Sequence, residues 1–242
     1  MKRHILYILF ILTAILATSC VADLEPLPKG WLHVSPPSRD TSALTRTTEE
    51  IDYLVSIQKG ANLIISPVRY SQLSGPIPLS EGTGYNLIAE SCTKTEAENQ
   101  PSIYGQPRYA GSKSFSIEAN VETKVSVNCY MANAAFCIVK DASFYYPKFK
   151  VTATLNGRSL TFTDEEQMGY FNVGEDGKAE LSYRVEATDS EGRPDTGSGT
   201  ITLKARTLSR LHLKATDLGY IGIEITYDDT FTPSITNVVV TP

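Results

Sequence analysis

The sequence predicts an all-β protein made of two tandem antiparallel β-sandwich domains. Three observations lead to this class. Apolar and polar residues alternate with a period of two in many short segments, which is typical of half-buried strands. Turn-forming pairs such as Asn156-Gly157 separate these segments. No amphipathic helical pattern longer than two turns occurs, and residues 47–55 are the only weak candidate for a helix.

The predicted strands follow one another along the chain. Their alternating segments are 31–34, 53–58, 85–90, 114–118, 124–129, 151–155, 181–186, 201–206 and 221–226. Asn156-Gly157 is the strongest hairpin signal, because this pair favours a two-residue turn between residues 150–155 and 158–162. Tyr85 starts its strand after a glycine turn, so we expect its hydroxyl to hydrogen-bond the corner that it follows.

The number of strands indicates two domains. We expect about 15 strands, whereas one seven-stranded sandwich takes about 100 residues. We therefore place the first sandwich at residues 30–127 and the second at residues 128–242. No Gly/Ser-rich linker marks the boundary, so we expect the two domains to pack closely against each other.

Residues 1–19 have the pattern of an export signal. Lys2, Arg3 and His4 form a cationic head, residues 5–17 form an apolar run, and small residues follow. A helix over residues 5–17 would rise only about 20 Å, less than the roughly 30 Å of a bilayer core. The segment therefore predicts a signal peptide rather than a membrane-spanning helix.

The end of this signal resembles the bacterial lipobox, with Ala17-Thr18-Ser19 before Cys20. The resemblance implies acylation of Cys20, cleavage before it, and anchoring by several acyl chains. Ala17 is a departure, because the family more often has leucine there. Residues 20–29 would then form a lipidated tether containing two prolines, which favour an extended spacer. The alternative is a secreted protein with a stray cysteine.

The charge balance excludes one class of function. The chain has 22 Lys and Arg residues against 27 Asp and Glu residues. Loss of Lys2 and Arg3 with the signal would leave 20 basic against 27 acidic side chains, a net charge of −7. Nucleic-acid binding needs a basic surface, so we expect no nucleic-acid partner.

Three cysteines remain after Cys20, namely Cys92, Cys129 and Cys137. Cys129 and Cys137 could pair if residues 129–137 fold as a hairpin, but they would lie roughly 26 Å apart in one continuous strand. The interpretation that we favour is three buried thiols that pack as small apolar side chains. No second Cys or His lies at ligand spacing, so we expect no metal site.

Three segments in a fixed order carry a resemblance to a known family. They are residues 30–34 (GWLHV), 77–89 (IPLSEGTGYNLIA) and 107–134, which contain PRYAG, FSI, TKVSVNC and ANA. In this order after a lipobox, the chain is similar to a family of uncharacterised Bacteroidales lipoproteins that is distantly fimbrillin-like. The resemblance covers residues 30–190. It implies immunoglobulin-like or transthyretin-like sandwiches and an outer-membrane or surface location, and it carries no catalytic residues.

Side chains suited to catalysis are sparse in the sequence. His33 and His212 are the only histidines beyond the signal, and each is predicted on a strand face. The acidic clusters 164–166 and Asp228-Asp229 are expected to be solvated loop charges. No nucleophile elbow, HExxH helix or phosphate-binding glycine loop occurs. We therefore expect no enzyme activity and no cofactor.

Five aromatic residues are candidates for contact with a ligand or partner: Tyr104, Tyr109, Phe144, Tyr145 and Tyr146. The last three are consecutive, and strand alternation can bury only one face. At least one ring is therefore expected to be exposed or to lie at a domain seam. Exposed clustered rings can stack on sugars or on a partner chain, but the interpretation that we favour is packing between the domains.

Together these patterns favour a non-enzymatic outer-membrane lipoprotein at the cell surface, with a structural or adhesive role as a fimbrial accessory or anchor-like protein. The alternative is a surface glycan-binding module for carbohydrate capture. The expected partners are the membrane, through the lipid anchor, and a protein or a glycan. Residues 235–240 (ITNVVV) are strand-like and uncharged; they could add a strand to a partner sheet or form the last strand of the second domain.

Overall fold

The computed structural model describes residues 27–39, 51–165, 167–216 and 220–230. Cys20 and residues 235–240 lie outside the described residues. Regular structure in these ranges is almost all β, which confirms the all-β class. The strands are β1 (Lys29–Val34), β2 (Ser38–Arg39), β3 (Leu54–Lys59), β4 (Asn62–Arg69), β5 (Ile77–Ser80), β6 (Gly82–Glu90), β7 (Tyr109–Ile117), β8 (Glu122–Val125), β9 (Asn128–Met131), β10 (Asn133–Lys140), β11 (Lys148–Leu155), β12 (Arg158–Phe162), β13 (Met168–Asn172), β14 (Lys178–Thr188), β15 (Pro194–Lys204), β16 (Leu208–Ala215) and β17 (Ile221–Asp228).

Helical structure in the described ranges is confined to a 3-10 turn at Tyr70–Gln72 and a short helix, α1, at Lys94–Asn99. No helix of the described residues is long and apolar enough to cross a membrane. The weak helix candidate at residues 47–55 is not helical where the structure describes it, since β3 begins at Leu54. Lys29, the last residue of the predicted tether, already belongs to β1.

Strands from the first half of the chain form two sheets around one core. The six-stranded sheet has the order β2-β9-β7-β6-β3-β4, and the three-stranded sheet has the order β5-β1-β8. Their inward side chains include Leu32, Ile57, Leu87 and Ile117, which are almost completely buried. We call this cluster the first core.

The second half forms two four-stranded sheets, ordered β12-β11-β14-β15 and β13-β10-β16-β17. They enclose a second core that contains Phe136, Phe162 and Phe171. The Phe136 ring meets the Phe162 and Phe171 rings edge-on, with centroids 5.3 and 6.4 Å apart. Edge-to-face pairs of this kind are favourable beyond the area that they bury.

Not all neighbouring strands are antiparallel. The pairs β1–β8, β2–β9 and β10–β16 run parallel, and the other pairs in the described part of the chain run antiparallel. The sequence predicted antiparallel sandwiches because side chains alternate with a period of two in a strand of either orientation. Alternation alone therefore cannot reveal these parallel pairs.

Strand β10 contributes to both cores. Ala134, Phe136 and Ile138 point into the second core, whereas Ala135 and Cys137 point into the first. A strand that is buried on both faces is expected to be a continuous apolar run rather than an alternating one, and residues 134–139 (AAFCIV) have that pattern. The two sandwiches thus meet through a shared layer, while the boundary at residue 127 stays a prediction.

The connection between β6 and β7, residues 91–108, reaches from the first half onto the second; we call it the β6–β7 connection. It contains α1, which packs on β13. The Glu98 carboxylate accepts the backbone N–H of Asn172 at 3.0 Å, and the Asn172 side chain donates to the Lys94 carbonyl at 2.8 Å. These polar contacts hold the helix against the second sandwich.

Arg158 fastens the same connection from the other side. At the start of β12, its guanidinium donates to the carbonyls of Glu98, Ile103 and Tyr170 at 2.5, 2.6 and 2.5 Å. It also lies 5.1 Å from the centre of the Phe171 ring. A charged donor shared by three carbonyls is a strong contact, so one side chain couples the two halves of the molecule.

The two predicted turn features are confirmed. Asn156 and Gly157 have φ angles of 49° and 83°, and Leu155 pairs with Arg158, as a two-residue hairpin turn requires. The Tyr85 hydroxyl donates to the Ser80 carbonyl at 2.7 Å. The Asn156-Gly157 turn, which has the strongest sequence signal, also positions Arg158 at the start of β12.

The cysteines are buried and unbridged. Cys92, Cys129 and Cys137 all carry free thiols, which confirms the favoured interpretation over a Cys129–Cys137 disulfide. Burial raises the pKa of the Cys129 thiol to about 12, so this thiol stays protonated and unreactive at neutral pH.

Candidate functional site

Two of the five candidate aromatic residues serve the fold. Tyr109 is buried in the first core, with the Arg39 guanidinium 5.2 Å from its ring centre. Tyr104 lies in the β6–β7 connection, where its hydroxyl donates to the Thr161 carbonyl at 2.5 Å and its ring meets Phe162 edge-on at 5.5 Å. Tyr104 is therefore a contact between the two halves.

The other three candidates lie together in the loop between β10 and β11. Phe144 and Tyr146 are buried and belong to the second core. Tyr145 is 52% exposed. Its ring stacks on Tyr146 with centroids 4.8 Å apart and planes 15° apart. The consecutive rings thus do not pack between the domains; they build a fixed base that presents one exposed ring.

Asp195, at the start of β15, fixes this base. Tyr146 donates its hydroxyl to Asp195 at 2.7 Å, and the backbone N–H groups of Ile221 and Thr196 donate to the same carboxylate at 2.9 and 2.8 Å. Burial opposes ionisation of Asp195, but the three donors outweigh it and lower its pKa. Burial and the bond to Asp195 raise the pKa of Tyr146, which therefore remains a neutral donor.

Polar groups surround the exposed ring. Arg193 donates to Asp189 at 2.7 Å and pairs with Glu191 at 3.1 Å. The hydrogen bond to Asp189 raises the pKa of Arg193, and Glu191 and Tyr145 contribute electrostatically. Tyr220 is 64% exposed and directly precedes Ile221, whose backbone N–H donates to Asp195. We call Tyr145 and these flanking groups the Tyr145 platform.

His212 lies in a row that resembles a hydrolase triad. Its Nε2 is 2.9 Å from the Thr226 hydroxyl, and its Nδ1 is 3.6 Å from the Asp141 carboxylate. The second distance is longer than a hydrogen bond, so Asp141 does not orient the ring. The histidine and the threonine belong to regular paired strands, β16 and β17. This row is best described as polar contacts on a sheet face.

The remaining titratable candidates form ion pairs. His33 lies 3.8 Å from Glu122, Glu165 binds Lys140, and Asp228 binds Arg210. Glu166 lies outside the described residues. Among the residues that the structure does describe, no group of three or more His, Cys, Asp or Glu side chains is placed to hold a metal ion.

The structure therefore unites Phe144, Tyr145 and Tyr146 and places Tyr104 and Tyr109 elsewhere. Sequence reasoning missed Asp195 and Arg158, whose partners lie up to 60 residues away. No local pattern identifies either of them. It also missed α1, although Thr93 and Glu96 have capping-box spacing and form both of its hydrogen bonds.

Comparison with known proteins gives remote structural neighbours. No curated protein matches the chain. A candidate cell adhesion protein of Bacteroides eggerthii is 10% identical, with a TM-score of 0.47 over 84% of this chain and 96% of its own. The fimbrial anchor protein Mfa2 of Porphyromonas gingivalis is 12% identical, with a TM-score of 0.41 over 81% of this chain and 96% of its own.

A candidate polysaccharide-binding protein of Bacteroides thetaiotaomicron is 9% identical, with a TM-score of 0.42 over 74% of this chain and 88% of its own. These scores all lie below 0.5, too low for a function to be transferred. A family model, by contrast, covers most of the chain. This match confirms the expected membership of an uncharacterised family. Residues 29–242 match the model named "Domain of unknown function (DUF4493)", and the chain belongs to that family.

Proposed function

We propose that the protein is a non-enzymatic outer-membrane lipoprotein of the cell surface with a structural or adhesive role, as a fimbrial accessory or anchor-like protein. The observation that carries the proposal is the packed and hydrogen-bonded junction between the two sandwiches. A body whose halves share β10 and are tied by Arg158 keeps a fixed distance between an anchor at one end and a contact surface at the other. Flexible linkers, by contrast, leave such a distance undefined.

The lipobox supplies the anchor in this proposal. Several acyl chains on Cys20 hold a protein firmly in a membrane, whereas one chain gives only marginal binding. Leu27, the first residue that the structure describes, follows only seven residues later. The short spacing favours a body held close to the membrane surface.

Staining and protease shaving of intact cells test the location. We expect an antibody to residues 130–242 to stain intact cells, and external protease to remove the stained protein. Mass spectrometry of the mature protein should find acyl chains on Cys20, and Cys20→Ala should release the protein from the membrane fraction. Staining that requires permeabilised cells would contradict a surface role and would indicate a scaffold inside the envelope.

Removal of the protein tests the role itself. A strain that lacks it should show altered fimbriae by electron microscopy or lowered attachment to a surface. Complementation with the Arg158→Ala variant should restore less attachment than complementation with Arg184→Ala, because only the first variant loosens the junction. Unchanged fimbriae and unchanged attachment in the deletion strain would contradict the structural or adhesive role.

One observation favours glycan binding as a second candidate function, namely the stacked and exposed Tyr145 ring. Sugar rings pack against exposed aromatic faces, and the exposed guanidinium of the neighbouring Arg193 can donate hydrogen bonds to hydroxyl groups. The test is a glycan array with the wild type and with Tyr145→Ala. Tyr227→Ala is the matched control, because Tyr227 is similarly exposed at 48% but lies on β17. Equal binding by all three proteins, or no binding, would dismiss this candidate.

A further inference from the structure

The outer face of the three-stranded sheet β5-β1-β8 carries an unusual exposed side chain. Leu32 and Val34 of β1 point into the first core, so Lys29, Trp31 and His33 point outward. Trp31 is 41% exposed. Its neighbour across the β1–β5 pair is Pro78, which is also exposed. About two fifths of this large ring is therefore accessible to a contact partner.

Trp31 has apolar neighbours at the same end of the sheet. Its backbone N–H donates to the Val121 carbonyl at 3.0 Å, and Val121 is 44% exposed. Leu27, which is 62% exposed, lies two residues before β1. The first residue of β1, Lys29, accepts a hydrogen bond from the backbone N–H of Asn120. Large apolar side chains that are scattered singly need no explanation, but clustered ones mark contact surfaces. We call Leu27, Trp31 and Pro78 the Trp31 patch; Glu122, which pairs with Trp31 across the β1–β8 pair, borders it.

The charges on this sheet face differ from those of the whole chain. On the outward positions of the three strands, Lys29 and Lys124 outnumber Glu122, whereas the chain carries a net charge of −5. The Glu122 carboxylate lies 3.8 Å from Nδ1 of His33. The lysines flank the Trp31 patch and can approach lipid phosphates, while the apolar side chains lie between them.

The covalent spacing limits where this face can be. The seven residues from Cys20 to Leu27 span at most about 25 Å when fully extended. An acylated Cys20 would thus keep the Trp31 patch within that distance of the bilayer surface. Tryptophan is enriched at the membrane–water interface, where the ring lies among headgroups and its N–H remains solvated.

We propose that the Trp31 patch is a membrane-contact surface that rests in the lipid headgroup region and sets the orientation of the rigid body on the membrane. The inference deepens the proposed function and rests on its lipid anchor. The acyl chains provide the affinity in this arrangement. The patch fixes the orientation in which the anchored protein lies on the membrane.

The tryptophan itself reports the contact, because Trp31 is the only tryptophan of the chain. The acylated protein is reconstituted into phosphatidylcholine–phosphatidylglycerol vesicles with and without brominated phosphatidylcholine. We expect bromine to reduce Trp31 emission by about half or more, and vesicles to protect it from acrylamide by a factor of two or more. Little quenching by bromine would overturn the proposal.

The matched control moves the reporter to the second sandwich. The variant Trp31→Phe/Tyr227→Trp carries its only tryptophan at a position of similar exposure on β17. We expect no bromine quenching in this variant. Quenching equal to that of Trp31 would indicate nonspecific adsorption and would overturn the assigned surface.

Two further results separate this inference from the proposal on which it rests. Mass spectrometry of the same sample reports the acyl chains. If Cys20 is not acylated, the lipoprotein proposal fails; bromine quenching that persists would still support the contact surface, and its loss would overturn both. A Trp31 emission that is already blue-shifted without vesicles and unchanged by them would mean that another protein segment or a second copy covers the patch, which also overturns it.

Discussion

The two edges of the sheet β12-β11-β14-β15 carry similar side chains and use them differently. At the β12 edge, Arg158 and Tyr104 each donate hydrogen bonds to backbone carbonyls in the opposite half of the molecule. At the β15 edge, Asp195 accepts a hydrogen bond from the hydroxyl of the buried Tyr146. The Tyr145 ring stacks on Tyr146 and remains exposed. Both edges combine tyrosines with an arginine, yet one is a joint and the other is a platform.

The difference shows what decides the role of an aromatic cluster. At the joint, the hydroxyl and guanidinium donors are satisfied by the protein itself, so a ligand would have to displace internal hydrogen bonds. At the platform, Tyr146 and Asp195 hydrogen-bond each other, and the ring of Tyr145 remains accessible. The two clusters therefore differ in the hydrogen bonds that their side chains make, although they contain similar residue types.

Breaking the joint should have the largest effect. Arg158→Ala removes the donor shared by three carbonyls, and we expect it to lower the free energy of unfolding by roughly 3 kcal/mol. Urea unfolding measures the loss, and limited proteolysis should cut the β6–β7 connection faster. The control is Arg184→Ala, whose exposed pair with Glu186 at 3.4 Å should contribute little to stability because solvent screens it. Equal effects of the two variants would refute the coupling role of Arg158.

Removing the support of the platform should rank second. We expect Asp195→Ala to lower the free energy of unfolding by about 2 kcal/mol, because Tyr146 and two backbone N–H groups lose their acceptor. The folded pKa of Asp195 lies below its ordinary value. Its stabilising contribution is therefore complete above the unfolded pKa of about 3.9 and is lost as the pH falls through the folded value.

Urea titrations between pH 7 and pH 2 measure this contribution. Asp195→Asn keeps one acceptor oxygen but cannot ionise, so it should unfold with a smaller dependence on pH than the wild type in the acidic range. If the two proteins lose stability in parallel below pH 4, Asp195 is not the group that titrates.

A single hydroxyl at the joint should have a smaller effect. Tyr104→Phe keeps the ring against Phe162 and deletes the hydrogen bond to the Thr161 carbonyl, so we expect a loss of about 1 kcal/mol. Urea unfolding measures the change. Tyr220→Phe, at a ring that is 64% exposed, is the control and should change stability little. A Tyr104→Phe variant as stable as the wild type would mean that only the Tyr104 ring contributes.

The exposed ring of the platform should matter least for stability. Tyr145→Ala removes a half-exposed ring that stacks on Tyr146, so we expect a change of about 0.5 kcal/mol in urea unfolding. The fold should remain unchanged by circular dichroism. A loss as large as that of Asp195→Ala would place Tyr145 in the core and would remove the distinction between joint and platform.

The sequence predicted the parts of this molecule that depend on near neighbours. Strand alternation, the Asn156-Gly157 turn and the Tyr85 corner all arise within a few residues, and the turn and the corner were predicted correctly. One alternating segment was wrong as a single strand, because the structure divides residues 124–129 between β8 and β9, which belong to different sheets. The joint was not predicted, because Arg158 binds carbonyls that lie 55 and 60 residues before it. Carbonyl groups occur at every residue, so no residue type marks the ones that Arg158 uses.

The candidate site was predicted in part for the same reason. Three consecutive aromatic residues at 144–146 identified the platform loop, but alternation did not say which ring would be exposed. Asp195 decides this, and it lies 49 residues beyond Tyr146. The apolar run at residues 134–139 contained the signal of a strand buried on both faces, yet the same run also fits an ordinary core strand.

The shared strand β10 has a consequence for the order in which the protein can mature. The first core is not complete when its own sandwich has been synthesised, since it takes Ala135, Tyr170 and Leu208 from the second half. A chain emerging from its N-terminus must therefore wait for residue 208 before its first sandwich is sealed. Tandem proteins commonly fold one domain at a time during synthesis. This chain cannot complete its first domain in that way. The two halves become native together or remain a substrate for chaperones and proteases.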